Sequence, residues 1–425
     1  MRQLRVAAGL TQSELAGERF SKEYVSQIER GKTRPTQETV EWLAARLNID
    51  PGYLASGVSA DERGRVEAAL ARADALTEAH RAEEALEEYQ RIAPVVRTTA
   101  SVELEVRALV GEGWARQLAG DVRGGLELLV GARSLVEGPS FSDLDRADVL
   151  FRLGVCRYKL QSISTALGLL TEALALAERS DLPSDHLRSE ILGWRSRCYR
   201  RQRDLEAARE DVERALELSH GIEDRRSIAN TYFQASLVAE RLGQLVQARS
   251  YAERAKALYE QLDDEVHVGR LLNNLGGLNH LLGRSEQAVE HLKTAFAVAL
   301  EHDADTDAAT AAASLARVHL DRGEREDSER LAREALKLLG DRADYVYEIA
   351  SCQLTLGRAL MEQGRIDEAD EWLRKADASA EQAASASHKA AVWVARGDLA
   401  ERVGEDRTAA RYYRRAAEVL QDVRF

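Results

Sequence analysis

Proline and aromatic residues are scarce: 5 of 425 residues are Pro, and Phe, Trp and Tyr together make up 5%. Few helix breakers and few bulky strand formers, beside long Ala/Leu/Glu/Arg stretches, argue against sheet and for helix nearly throughout. No stretch approaches the ~20 consecutive apolar residues of a spanning helix. The N-terminus carries no apolar leader core, so neither secretion nor membrane insertion is expected. Cysteine is rare, and Cys156, Cys198 and Cys352 stand too far apart for a metal-ligand spacing, which fits a reducing cytosol. A net positive charge is also missing, the total being −13. The deficit is uneven: residues 1–58 hold 8 Lys/Arg against 7 Asp/Glu, and the remainder holds 51 against 65. Any grip of the first segment on a polyanion must therefore come from placed side chains more than from bulk field. A soluble, cytoplasmic, all-α chain is expected.

Catalytic signatures are absent too. Gly31-Lys32-Thr33 echoes the end of a phosphate loop, but position 26 is Ser where that loop needs Gly, and no strand precedes it. There is no Gly-x-Ser-x-Gly and no His-Glu-x-x-His, and the nine histidines are scattered. No enzyme, metal or cofactor is expected.

What the chain has is repetition. Helix–turn–helix units recur from residue 66, with turn centres at His80, Gly120, Gln161, Arg203, Gly243, Gly283, Gly323, Gly364 and Gly404, 40 to 42 residues apart. Seven residues before each centre stands a small side chain: Ala73, Gly113, Gly154, Ser196, Ser236, Gly276, Ala316, Gly357 or Gly397. Five after comes Ala85, Gly125, Ala166, Ala208, Ala248, Ala288, Ser328, Ala369 or Ala409. Twelve after, from the second unit on, comes alanine, from Ala132 to Ala416. Small residues in this register let antiparallel helices approach closely, while Leu170, Val212, Leu292, Leu373 and Tyr413 fill the seam. Cys156 and Cys198, each five residues before a centre, read as equivalent packing positions. The pattern resembles the tetratricopeptide repeat: Leu153-Gly154, Leu275-Gly276 and Leu356-Gly357 match its Leu-Gly, although that repeat is usually ~34 residues long. The resemblance implies a right-handed α-solenoid of about nine helix pairs over residues 66–425, after a linker at 58–65.

Residues 1–57 fall outside this register. Thr11 can N-cap a helix, and Glu14 completes a capping box. Ser21 caps a second helix over Lys22–Arg30, with Val25 and Ile28 inward, and Gly31 suits its left-handed end. Pro35 opens a fourth helix with Val40, Leu43, Ala44 and Leu47 on its apolar face, and Asp50–Leu54 reads as a short fifth. The string Leu10-Thr11-Gln12-x-x-Leu15-Ala16 … Tyr24-Val25-Ser26-x-Ile28-Glu29-x-Gly31-x-x-x-Pro35 resembles the phage-repressor (Cro or Xre) class of helix-turn-helix. Two departures stand out. The interval from Leu15 to Val25 is one residue short, with a lone Phe20 in the turn, and the first helix is short, which predicts a start upstream of Met1.

The resemblance implies a five-helix domain that binds double-stranded DNA. Gln12 and its helix N-terminus would grip phosphate, and the third helix would enter the major groove. Carried over, the DNA-binding set is Gln12, Ser21, Lys22, Glu23, Tyr24, Ser26, Gln27, Lys32 and Arg34. Of these, Lys22, Glu23, Ser26 and Gln27 are the base readers, and Tyr24, Lys32 and Arg34 are better placed for phosphate. Glu29 is expected to make a structural contact near Lys32.

In a repeat solenoid the first helices line the concave face. Inward offsets select Trp114, Phe151, Tyr158, Lys159, Arg197, Arg200, Arg201, Asn230, Phe233, Arg270, Asn273, His280, Arg317 and Arg358, with Asn274 beside them. Asn can satisfy an extended peptide, and Arg can fork a carboxylate. A repressor-class head on such repeats is similar to regulators of the Rgg/PlcR type. That likeness implies a homodimer whose groove takes a peptide, small ligand or protein, and a palindromic operator. Tyr412, Tyr413, Val419 and Phe425, at an end with no polar capping helix, are the expected dimer surface. The competing expectation is an adaptor whose head docks proteins.

Overall fold

The computed structural model describes residues 1–33, 35–56, 60–79, 81–99, 101–340, 342, 345–382 and 386–421. Every regular element among them is helical. The head consists of α1 (Arg2–Ala7), α2 (Gln12–Ala16), α3 (Lys22–Glu29), α4 (Gln37–Leu47) and α5 (Pro51–Ser56). Its core joins Leu15, Ala16, Val25, Leu43 and Leu47, with Leu4, Phe20, Ile28 and Trp42 packed against them. Pro35 does not open α4 as expected: Thr36 caps it, its hydroxyl accepting from the Thr39 amide at 3.3 Å. A hydroxyl that can accept makes the better cap.

Nine helix pairs follow: α6 (Ala60–Glu78) and α7 (Ala82–Thr98), α8 (Val102–Leu118) and α9 (Val122–Val136), α10 (Asp143–Lys159) and α11 (Ile163–Arg179), α12 (Asp185–Gln202) and α13 (Leu205–Leu218), α14 (Arg225–Arg241) and α15 (Leu245–Glu260), α16 (Glu265–Leu281) and α17 (Ser285–Glu301), α18 (Asp305–Asp321) and α19 (Arg325–Leu339), α20 (Val346–Glu362) and α21 (Ile366–Gln382), α22 (Ala386–Arg402) and α23 (Asp406–Gln421). The stretch expected as a linker is helix from Ala60 onward, because Asp61 and Glu62 in its first turn and the alanines beyond favour α6. The chain divides into two compact units, Met1–Gln202 and Arg203–Phe425, so the division falls within the fourth helix pair.

The turn centres are where the sequence puts them. Eight of the nine have positive φ, from 62° at Gln161 to 95° at Gly120; His80 lies outside the described residues. Left-handed backbone ends the first helix of these eight pairs, and glycine adopts it without steric penalty. The seam is packed by size complementarity. A methyl on Gly154 would lie 2.8 Å from Leu170 Cγ, one on Gly276 2.5 Å from Leu292 Cγ, and one on Gly357 2.7 Å from Leu373 Cδ2. Where the first helix carries Ser236 or Ala316 instead, the position corresponding to those leucines is Ala252 or Ala332, all fully buried. Cys156, Cys198 and Cys352 are free and buried, and burial pushes the Cys156 and Cys352 thiols up to about 11 and about 12.

Candidate nucleic-acid interface and candidate ligand pocket

The helix-turn-helix is held by local chemistry that the sequence spells out. Thr11 Oγ1 accepts from the Glu14 amide at 3.1 Å, and the Thr11 amide donates to Glu14 Oε2 at 2.6 Å. Those bonds hold the Glu14 carboxyl below its ordinary value. Ser21 Oγ accepts from the Tyr24 amide at 3.1 Å, so its hydroxyl serves as the cap of α3. At the other end Gly31 has φ +69°, and its amide and that of Lys32 donate to the Ile28 and Gln27 carbonyls.

A buried ion pair joins three helices. Arg5 Nε donates to Glu29 Oε1 at 2.6 Å, and the Glu29 side chain is only 3% exposed. Gln12 Nε2 donates to Glu29 Oε2 at 2.7 Å, and Arg5 Nη1 donates to the Leu10 carbonyl at 2.7 Å. The Arg5 hydrogen bond, helped by Gln12, holds the Glu29 carboxyl below its usual range against the opposing effect of burial. Two expectations change here. Glu29 makes the structural contact expected of it, but with Arg5 and Gln12 as its partners. The Gln12 amide is turned inward with one N–H engaged, because an unpaired carboxylate at this depth would be far more costly.

The short turn is closed by an aromatic plug that sequence reading missed. Phe20 lies 5.2 Å from Tyr24 and edge-on to Trp42 at 5.1 Å, and the Arg46 guanidinium covers Trp42 at 5.1 Å. Arg46 Nη2 also donates to the Glu14 carbonyl at 2.9 Å. Gly17 sits at φ +52°, a conformation that strains any L side chain, and a Cβ there would crowd Arg46 Nη1 at 3.0 Å and the Trp42 ring at 3.1 Å. Tyr24 is thereby a packing residue, half-buried on Phe20. Lys22, Glu23, Gln27 and Lys32 are exposed, and Ser26 is half-buried. Thr33 Oγ1 donates to Gln27 Oε1 at 3.1 Å, a bond that does not use the Gln27 amide N–H groups. Arg34 lies outside the described residues.

In the second unit the first helices α14, α16 and α18 line a pocket of about 350 Å³, with the end of α17 beneath. Five expected groove residues meet there: Phe233, Arg270, Asn273, Asn274 and Arg317. Arg270 Nε donates to Asp307 Oδ2 at 2.8 Å. Asn274 accepts from Ser236 Oγ at 2.8 Å and donates to Glu240 at 3.1 Å. Asn273 keeps a buried carboxamide oxygen without a donor. Sequence reading overlooked Glu240, Arg241, Val298, His302 and Asp307. Two expected residues are engaged elsewhere: Asn230 Oδ1 accepts from Tyr259 at 2.7 Å, and His280 Nε2 meets Asp321 at 2.8 Å.

Of the remaining groove residues, Arg358 is half-buried on α20 of the second unit, outside the pocket lining, and the others belong to the first unit. Tyr158 stands edge-on to Trp194 at 5.5 Å, and the Arg197 guanidinium covers the same ring at 4.1 Å. Arg201 donates to Gln161, and Lys159 and Arg200 also have partners. Arg152 covers Trp114, which lies 6.1 Å from Phe151. These cations are largely tied within the protein, so this part of the expected row is less open than its charge implied.

Of the expected dimer surface, Tyr413 is committed within its own pair. A methyl on Gly397 would sit 2.5 Å from its ring, and its hydroxyl donates to Asp398 at 2.9 Å. Tyr412 and Val419 pack around Ala390, Trp393 and Ala416. Phe425 lies outside the described residues. Among the described residues no helix is long and apolar enough to cross a membrane, and no three His, Cys, Asp or Glu gather as metal ligands would.

The class follows from these parts and from family comparison. Residues 1–54 match the helix-turn-helix family, and residues 187–261, 267–340 and 349–390 match tetratricopeptide repeat families. The chain is an Xre-type helix-turn-helix domain joined to tetratricopeptide repeats. No curated protein matches the sequence. Among solved structures it is similar to a Rap protein complexed with Competence and Sporulation Factor (16% identity, TM-score 0.64, 84% of this chain and 98% of that one). It is similar to the apo quorum sensor NprR from B. thuringiensis (16%, 0.64, 85% and 99%) and to apo RapI (13%, 0.62, 84% and 98%). At these identities the likeness is one of fold.

Proposed function

We propose that this protein is a sequence-specific DNA-binding transcriptional regulator of the cytoplasm, and not an enzyme, whose repeats take an effector and mediate homodimerisation. One observation carries the DNA reading. The polar start of α3, with Lys22, Glu23 and Gln27 exposed, stands on a helix fixed by the buried Arg5–Glu29–Gln12 lock. Fixed side chains on a rigid helix are what base readout requires. Lys22, Glu23, Ser26 and Gln27 read bases, and Lys32 and Arg34 hold phosphate. Ser21, Tyr24 and Gln12 position α3 and α2, and the α2 N-terminus itself faces the backbone.

The effector is a peptide or small ligand, and its site is the pocket of the second unit. Support comes from the five expected residues that meet there and from the Rap structure, which holds Competence and Sporulation Factor. Dimerisation rests on Tyr412 and Val419 with the exposed Leu420 and Val403, and it implies a palindromic operator. Selection from random duplex DNA by the full chain tests the central reading. Enrichment of one inverted-repeat sequence is expected, and a pool indistinguishable from the input would leave the adaptor reading in its place.

A further inference from the structure

The pocket of the second unit is selective in charge as well as shape. Its floor is apolar, with Phe233 and Leu237 from α14, Val266 from α16, and Val298 and Ala299 at the end of α17. Its two acids are engaged: Glu240 accepts from Asn274 at 3.1 Å, and Asp307 from Arg270 at 2.8 Å. Arg241 and Arg317, exposed on α14 and α18, line the same pocket with no ion-pair partner among the described residues. Three arginines thus face two carboxylates, and because the bond from Asn274 leaves Glu240 charged, one positive charge is left over above an apolar floor. Asn273 adds one more requirement, a buried acceptor lacking a donor, which is costly until something supplies an N–H or O–H. The volume, about 350 Å³, is at the small end for ligand sites and is enough for one residue with its acyl group.

We propose that this pocket binds the carboxylate of an N-acylated amino acid with an apolar side chain. The side chain rests on the Phe233–Val298 floor, Arg241 and Arg317 take the carboxylate, and the amide N–H donates to Asn273. A free N-acyl amino acid and the C-terminal residue of a peptide present this same chemistry. The proposal rests on the effector reading above and specifies what its site recognises.

Calorimetric titration of the full chain tests it with N-acetyl-L-leucine, N-acetyl-L-phenylalanine, their primary amides, and Ala-Ala-Leu as acid and as amide. The acids are expected to bind at least tenfold more tightly than the amides. Arg241→Ala with Arg317→Ala should erase that preference, and Asn273→Ala should weaken both forms. Gly277 lines the pocket with nothing within 4 Å of where its Cβ would be, so Gly277→Phe fills the space and should abolish binding. A tripeptide acid binding tenfold more tightly than N-acetyl-leucine assigns a peptide terminus, and equal affinities assign the free acid; both support the proposal. Equal affinity for acid and amide, or no binding of any probe at ~10 mM where ligand efficiency allows millimolar affinity, overturns it. Operator affinity measured in parallel separates the two ideas. Acid binding without any change in operator affinity upholds the pocket chemistry and removes the effector role. A cationic or amidated ligand that co-purifies with the chain, and is lost in Gly277→Phe, keeps the effector role and overturns the carboxylate.

Discussion

Replacing Gly276 by alanine should change sign with the residue facing it. In the native seam the new methyl lies 2.5 Å from Leu292 Cγ, 2.7 Å from Cδ2 and 3.3 Å from the Ala288 carbonyl oxygen. Leu292 is 0% exposed and cannot swing into solvent. Overpacking of this kind costs ~1–3 kcal/mol, and Gly→Ala in a helix interior returns ~1 kcal/mol. The net is a loss of up to ~2 kcal/mol. Leu292→Ala alone should cost ~2–5 kcal/mol, since the glycine opposite offers nothing to fill the cavity. In that background only the Ala288 carbonyl oxygen stays close, at 3.3 Å, and Gly276→Ala should stabilise by up to ~1 kcal/mol, reproducing the Ala316/Ala332 pairing. The coupling is therefore ~1–3 kcal/mol. Gly168, exposed on α11 with nothing within 4 Å of its Cβ position, is the control, and Gly168→Ala should stabilise by ~1 kcal/mol. Repeat arrays need not unfold in one step, so hydrogen exchange of α16 and α17 is the local readout beside urea unfolding of the full chain. Equal effects of Gly276→Ala in the two backgrounds would refute the size-complementarity argument.

Glu29→Gln should destabilise the head, because it leaves the half-buried Arg5 without its counter-charge; faster exchange in α2–α4 reads this. The Glu29 carboxyl is held below its ordinary value, so the lock contributes stability above pH ~4.3 and loses it as pH falls toward the folded value. Exchange in α1–α3 should therefore show the head opening below that pH, with a smaller change in Glu29→Gln, where the Glu14 capping box alone still responds. Gln27→Ala should cost ~1–3 kcal/mol at one base pair and relax the preference there, whereas Lys32→Ala should weaken all sites alike and lower the salt slope by ~1. Binding titrations on single-base variants of a selected site distinguish the two. Leu420→Glu with Val403→Glu should convert a dimer to monomer in sedimentation, and an unchanged mass would remove this surface from the interface.

The repeats were legible because their cause is local and recurrent. A positive φ every 40 to 42 residues and small residues at fixed offsets leave marks that a single sequence shows. The Thr11–Glu14 capping box was equally readable, being decided within four residues. What escaped were pairings across the chain. Glu29 reaches back 24 residues to Arg5, and the Phe20 plug needs Trp42 and Arg46 from a different helix. The same holds in the repeats, where Arg270 meets Asp307, His280 meets Asp321 and Arg226 meets Asp264, 37 to 41 residues apart. That separation is one repeat, so opposite charges one period apart were the available signal. Applied to the inward row, it separates Arg270 and His280, which are paired, from Arg317, which has no ion-pair partner among the described residues.

Base readout by α3 is the step on which regulation by this protein depends. The most direct measurement is sequencing of the duplex pool selected by the full chain, alongside the pool selected by Gln27→Ala. The prediction is an inverted repeat with half-sites about one helical turn apart, ~10–10.5 base pairs or a multiple, in which the variant changes one symmetric base pair. Two pools that match the unselected input would contradict it.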